Sequence, residues 1–84
     1  MKVSGVICKN CNNFIYSRTT HDFRWCPCGK VAVDGGMDYL KIVGNQEDFS
    51  FAREEIDATE DDLINDWNTG KDKYGIIPVD KLKK

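Results

Sequence analysis

Two close cysteine pairs, Cys8-Lys9-Asn10-Cys11 and Cys26-Pro27-Cys28-Gly29, constrain this chain more than any other feature, and they hold all four of its cysteines. A tetrahedral thiolate site needs this pattern. Each pair grips one edge of an ion, and the fourteen intervening residues turn the chain back on itself. The four sulfurs therefore predict a structural metal site with Cys8, Cys11, Cys26 and Cys28 as ligands. Zinc is the expected ion, although thiolate knuckles also accept iron and the sequence does not choose between them. Four thiolates fill the coordination sphere, so such an ion has no open position at which to activate water.

The chain has 84 residues, a length at which the apolar core is marginal and a metal cross-link contributes to stability. No stretch approaches the roughly twenty apolar residues of a membrane span, and the first residues carry no cleavage pattern, so a cytosolic protein is expected. In that reducing compartment paired cysteines serve as metal ligands more often than as disulfides. A Cys-x-x-Cys redox site is the weaker reading, because it leaves the second pair unexplained.

Val3, Val6 and Ile7 predict a strand that delivers Cys8, and Asn12-Asn13 supply residues tolerant of left-handed backbone after Cys11. Phe14-Ile15-Tyr16 and Asp22-Phe23-Arg24-Trp25 read as the two arms of a hairpin turning over residues 17–21. Residues 30–33 and 37–43 read as two further strands around Asp34-Gly35-Gly36, making one small antiparallel sheet with the metal at its end. Residues 48–58 fit either state, since Phe49 and Phe51 alternate whereas Phe49, Ala52, Arg53 and Ile56 have helical spacing. Thr59 followed by Glu60-Asp61-Asp62 predicts a capped helix over about 59–69 with Leu63, Ile64 and Trp67 as its docking stripe and Gly70 as its end. Residues 74–79 can add an edge strand, the place a sheet tolerates Pro78. The expected fold is thus small α+β: a zinc-ribbon-like antiparallel sheet over residues 1–43, then an acidic extension over 44–84 with a short helix and a basic tail, packed as one domain.

The net charge of −2 hides a strong segregation: residues 1–43 carry +3, residues 44–70 carry −8 and residues 71–84 carry +3. Such unevenness bears on partners rather than on fold. The acidic stretch is a solvated surface in the plain reading. In a sharper one it imitates a nucleic-acid backbone for a basic cleft on another protein. Conversely, Lys9, Arg18, Arg24 and Lys30 interleaved with Phe14, Tyr16, Phe23 and Trp25 could grip a single strand through phosphate contacts and stacking.

His21 is the only histidine, and with four cysteines present it is surplus to the metal; Asp22 is the natural group to orient it. Asp34, Gly35, Gly36, Asp38 and Tyr39 form the other candidate site, where two glycines expose backbone N–H groups that can hold a polar small molecule or a peptide carboxylate. Neither stretch offers a nucleophile–base pair or a phosphate-cradling loop before a helix, so the expectation is a binding protein and not an enzyme.

Cys26-Pro27-Cys28-Gly29 resembles the Cys-Pro-x-Cys-Gly knuckle of rubredoxins and zinc ribbons with one residue missing, which implies tighter geometry at that end. More broadly, His21-Asp22-Phe23, Cys26-x-Cys28-Gly29 and the run from Val31-Ala32-Val33-Asp34-Gly35-Gly36 through Asp38-Tyr39-Leu40 resemble a family of small uncharacterised bacteriophage proteins. The likeness covers roughly residues 7–43. Where that family continues with two basic residues after the leucine, this chain has Lys41-Ile42, and its acidic extension is its own. The resemblance implies an accessory protein made during infection, acting in the host cytoplasm. Inhibiting a host defence system by engaging a host protein or sequestering a small ligand through the surface of His21, Asp22 and residues 34–39 is the role it implies.

Overall fold

The described residues form two antiparallel sheets, A of four strands and B of three, with one α-helix near the C-terminus. The strands are β1 (Lys2–Cys8), β2 (Asn13–Ile15), β3 (Arg24–Trp25), β4 (Ala32–Gly35), β5 (Leu40–Val43), β6 (Phe49–Glu55) and β7 (Ile76–Pro78), and the helix is α1 (Glu60–Thr69). This computed structural model describes residues 1–19, 22–35, 40–71 and 73–82. The small α+β class with antiparallel sheets and a C-terminal helix is the one expected from the sequence, but the strands divide between two sheets instead of forming one.

The division overturns the hairpin expected between residues 14–16 and 22–25. β2 lies between β1 and β7, whereas β3 pairs with β4 in the other sheet. The segment between them is a crossover, held by the Ser17 hydroxyl donating to the Asp22 carbonyl at 2.7 Å and by the Asp22 N–H donating to Thr19 at 3.2 Å.

Sheet A works with both faces. Side chains alternate along a strand, so Val6, Cys8, Ile15 and Phe49 fall on one side, where they pack with Cys26, Val31 and Val33 of the cysteine-bearing layer. On the other side Val3, Phe14 and Tyr16 pack against Ile56 and Leu63. Phe14 and Tyr16 lie nearly parallel, ring centres 5.5 Å apart. The molecule is therefore three layers, with cysteines and sheet B on one side of sheet A and α1 on the other.

Pairing resolves the ambiguous stretch at residues 48–58. β6 runs beside β1 for seven residues, from Cys8↔Phe49 to Lys2↔Glu55, so the alternation of Phe49 and Phe51 was the true signal. Pro78 closes β7 at the outer edge of sheet A, where its missing N–H costs no ladder bond.

Helix α1 begins with a reciprocal cap: Thr59 accepts from the Asp62 N–H while the Asp62 carboxylate accepts from the Thr59 N–H. It ends at Gly70 in left-handed conformation, whose N–H donates to the Asp66 carbonyl. The docked face differs from the expected stripe. Leu63 and Asp66 are buried, while Ile64 and Trp67 stay exposed.

Candidate metal centre and outer face of sheet B

β1 delivers Cys8 and the chain turns at once, the Asn12 N–H donating to the Cys8 carbonyl at 2.8 Å with Asn12 at φ 56°. The second turn repeats the device: the Gly29 N–H donates to the Cys26 carbonyl at 2.9 Å, and Gly29 takes φ 76°. A left-handed residue just past each pair folds the backbone so that both sulfurs face the same point.

The four Sγ atoms converge from the two turns, all within 4.8 Å of one another. Cys8 Sγ lies 3.5 Å from Cys28 Sγ and 3.7 Å from Cys26 Sγ, and Cys26 Sγ lies 3.1 Å from Cys28 Sγ. None of the four is in a disulfide. A tetrahedral ion with metal–sulfur bonds of about 2.3 Å sets its sulfurs about 3.8 Å apart. The 3.5 and 3.7 Å separations lie close to that cage, while the Cys26–Cys28 edge is shorter than it. Cys8 and Cys26 are buried in the core cluster, and Cys11 and Cys28 are partly exposed. The group can hold a metal ion.

As thiols, Cys8 and Cys28 would be unequal. Burial is the main force that pushes Cys8 up, to about 12. Cys28 is held down, to about 6, first by the adjacent Cys26 thiol and then by the Lys30 N–H and the Asn10 side chain. Binding an ion strips the protons from such a set, which makes metal affinity rise with pH.

The C-terminal half holds the first turn from outside. The Lys9 N–H donates to the Asp48 carbonyl at 2.8 Å, and the Val79 N–H donates to the Asn12 carbonyl at 3.0 Å. Phe49 stands opposite Cys8 in the ladder, and Ile76 packs on the same cluster.

A buried ion-pair network invisible to sequence reasoning lies beside the crossover. Arg18 Nε donates to Asp22 Oδ2 at 2.9 Å and its Nη1 donates to Asp66 Oδ2 at 2.8 Å. Asp22 Oδ2 also accepts the Arg18 N–H, and Arg24 Nε stands 3.6 Å from it. Asp66 further accepts the N–H groups of Lys73 at 2.9 Å and Tyr74 at 3.0 Å. Burial alone would raise both carboxyls, but these donors outweigh it: Asp22 is lowered, and Asp66 is held at about 2. Arg18 and Asp66 are 48 positions apart, so no local signal could pair them.

Sheet B has one inward and one outward face. Arg24 and Val33 are buried and Ile42 packs beside them on the cysteine cluster. Trp25, Ala32 and Val43 lie across from one another on the outer side, followed by Asp34 and Lys41. Phe23 and Trp25 are 49% and 48% exposed with ring centres 5.9 Å apart, and Val43 is exposed beside them.

Among the ligand candidates, Asp22 is buried with its carboxylate turned to Arg18, Asp34 is partly buried in β4, and Gly35 ends β4 opposite Leu40. His21, Gly36, Asp38 and Tyr39 lie outside the described residues.

Residues 1–44 match the family described as a domain of unknown function, DUF7695. The chain belongs to this family. The DUF7695 stretch holds both cysteine turns and strands β1 to β5, while β6, α1 and β7 come from the part beyond it. Comparison with curated proteins and with solved structures finds no match. No helix among the described residues is long and apolar enough to cross a membrane.

Proposed function

We propose that the chain is a zinc-stabilised, non-enzymatic binding protein that engages a host protein through the outer face of sheet B. The observation that carries this reading is the exposed Phe23–Trp25 pair. Two neighbouring rings left half in water, flanked by Val43 and by the charged pair position Asp34↔Lys41, have the apolar centre and polar margin of a protein-recognition surface.

Zinc is favoured over iron because four thiolates in a tetrahedral cage, packed into the core, are the usual make-up of a structural zinc centre. The same full sulfur set argues against catalysis by the ion. Resemblance to small bacteriophage proteins supplies the setting: an accessory protein acting in the cytoplasm of an infected host, where blocking a defence system is its role.

Two rival readings lose residues to burial or to other partners. The nucleic-acid reading needs Arg18, Arg24, Phe14 and Tyr16, all of which are buried. Acidic mimicry gives up Asp66 to Arg18, Asp62 to the helix cap and Glu55 to the N-terminal ammonium at 2.7 Å.

The test is the double variant Phe23→Ala, Trp25→Ala, compared with wild type for zinc content, circular dichroism and the proteins and small molecules retained from host lysate. The expected result is normal zinc and fold with the retained partner lost. A partner held equally well by the variant overturns the reading. Salt-sensitive retention on single-stranded nucleic acid would put the rival in its place.

A further inference from the structure

One outer edge of sheet A, strand β6, has no partner strand among the described residues: it is the terminal strand of the order β6-β1-β2-β7. Edge strands are ordinarily kept from pairing by shortness, proline, lysine or a bulge. β6 has no proline, lysine or bulge, and its charges gather at one end: its seven residues, Phe49-Ser50-Phe51-Ala52-Arg53-Glu54-Glu55, run in unbroken register with β1. Its centre is sticky, since Phe51 is 74% exposed and braced edge-on by Phe49, ring centres 5.7 Å apart.

We propose that β6 pairs antiparallel with β6 of a second copy of this chain about a two-fold axis at Ala52, joining two four-stranded sheets into one continuous sheet. Symmetry and charge select that register. Opposed residues in an antiparallel pair point to the same face, so a two-fold axis perpendicular to the sheet must pass through a residue and its own copy. An axis at Arg53 would set Arg53 against Arg53. One at Phe51 would set Asp48, whose carbonyl continues the ladder to Lys9, against Glu54, twice. Like charges directly opposite destabilise a sheet.

Across the ladder residues 48–56 the axis at Ala52 avoids both clashes and uses the full strand. Phe51 then lies opposite Arg53 of the second copy, ring against guanidinium, a contact made twice. Arg53 is exposed and makes no ion pair among the described residues, so it is available for this contact. Ser50 lies opposite Glu54, and Phe49 opposite Glu55.

Sedimentation of the zinc-loaded chain across a range of concentrations tests the proposal. The expected result is a reversible dimer of twice the 9.6 kDa chain mass. Ser50→Glu places like charges opposite Glu54 at two symmetric positions and weakens the dimer about ten-fold, Ser50→Lys tightens it, and adding Glu54→Lys to Ser50→Glu restores it. Ser50 is exposed and Glu54 half-buried on the edge strand, and circular dichroism checks that each variant keeps the fold. A chain that stays monomeric into the millimolar range, or a dimer indifferent to the charge at position 50, overturns the proposal.

Discussion

Replacing Arg18 with alanine removes the guanidinium shared by the buried carboxylates of Asp22 and Asp66, leaving Asp22 with Arg24 at 3.6 Å and Asp66 with the N–H groups of Lys73 and Tyr74. Removing one partner of a buried charge network costs about 3–5 kcal/mol, because the remaining charge is stranded away from water. That is a large share of what so small a domain has, and urea unfolding of the metal-loaded Arg18→Ala protein will read it directly. The network also sets an acid limit. Asp66 sits at about 2 in the folded chain, below its unfolded value, so its contribution is complete above roughly pH 4 and drains away as pH falls toward 2. Stability measured between those limits should fall in the wild type and fall less in Arg18→Ala. Gly75 is a second sensitive position: it sits at φ 112°, and an added Cβ would run into the Arg24 side chain. Gly75→Ala should therefore lower stability by at least about 1 kcal/mol in the same assay.

At the level of elements, the helix was legible because its signals are local. Thr59, the three acids after it and Gly70 sit within one short stretch, and both caps form where they were read. Thr59→Ala should cost about 1 kcal/mol, seen as a lower thermal midpoint with the metal retained. Which face docks was not legible, since Asp66 is drawn inward by Arg18 from a distant part of the chain while Ile64 and Trp67 remain outside. The misread hairpin has a similar cause. Residues 14–16 and 22–25 are both good strand formers close in sequence, and neighbours of that kind pair by default. Here the Arg18–Asp22 tie carries the chain across to the second sheet instead. β6 could not be told from a helix on spacing alone because its pairing partner, β1, lies more than forty residues upstream. The cysteine positions, by contrast, were plain from spacing, and so was the tightness of the Cys26–Cys28 edge.

For the molecule as a whole, the family stretch and the folding unit are not the same length. Residues 1–44 carry every sulfur, yet Phe49 and Ile76 complete the cluster around them and α1 covers the other side of β1 and β2. A fragment of residues 1–44 is therefore expected to bind a metal ion more weakly than the intact chain and to lack its cooperative unfolding, which competition with a chromophoric chelator and calorimetry will check. Chelation of the metal-loaded protein should unfold it, since an ion held by the four sulfurs would join the two turns that close the core. Metal retention should fall in acid, as protons compete for the thiolates.

The clasp of the Lys9 amide on Asp48 and of the Val79 amide on Asn12 has a consequence in the cell. Because two remote stretches are fastened to the very turn that would surround the ion, losing the ion and freeing those stretches become a single event. A copy that fails to acquire its ion would offer proteases a long loose end instead of a slightly altered site, and supply of the metal would then govern how long each copy survives.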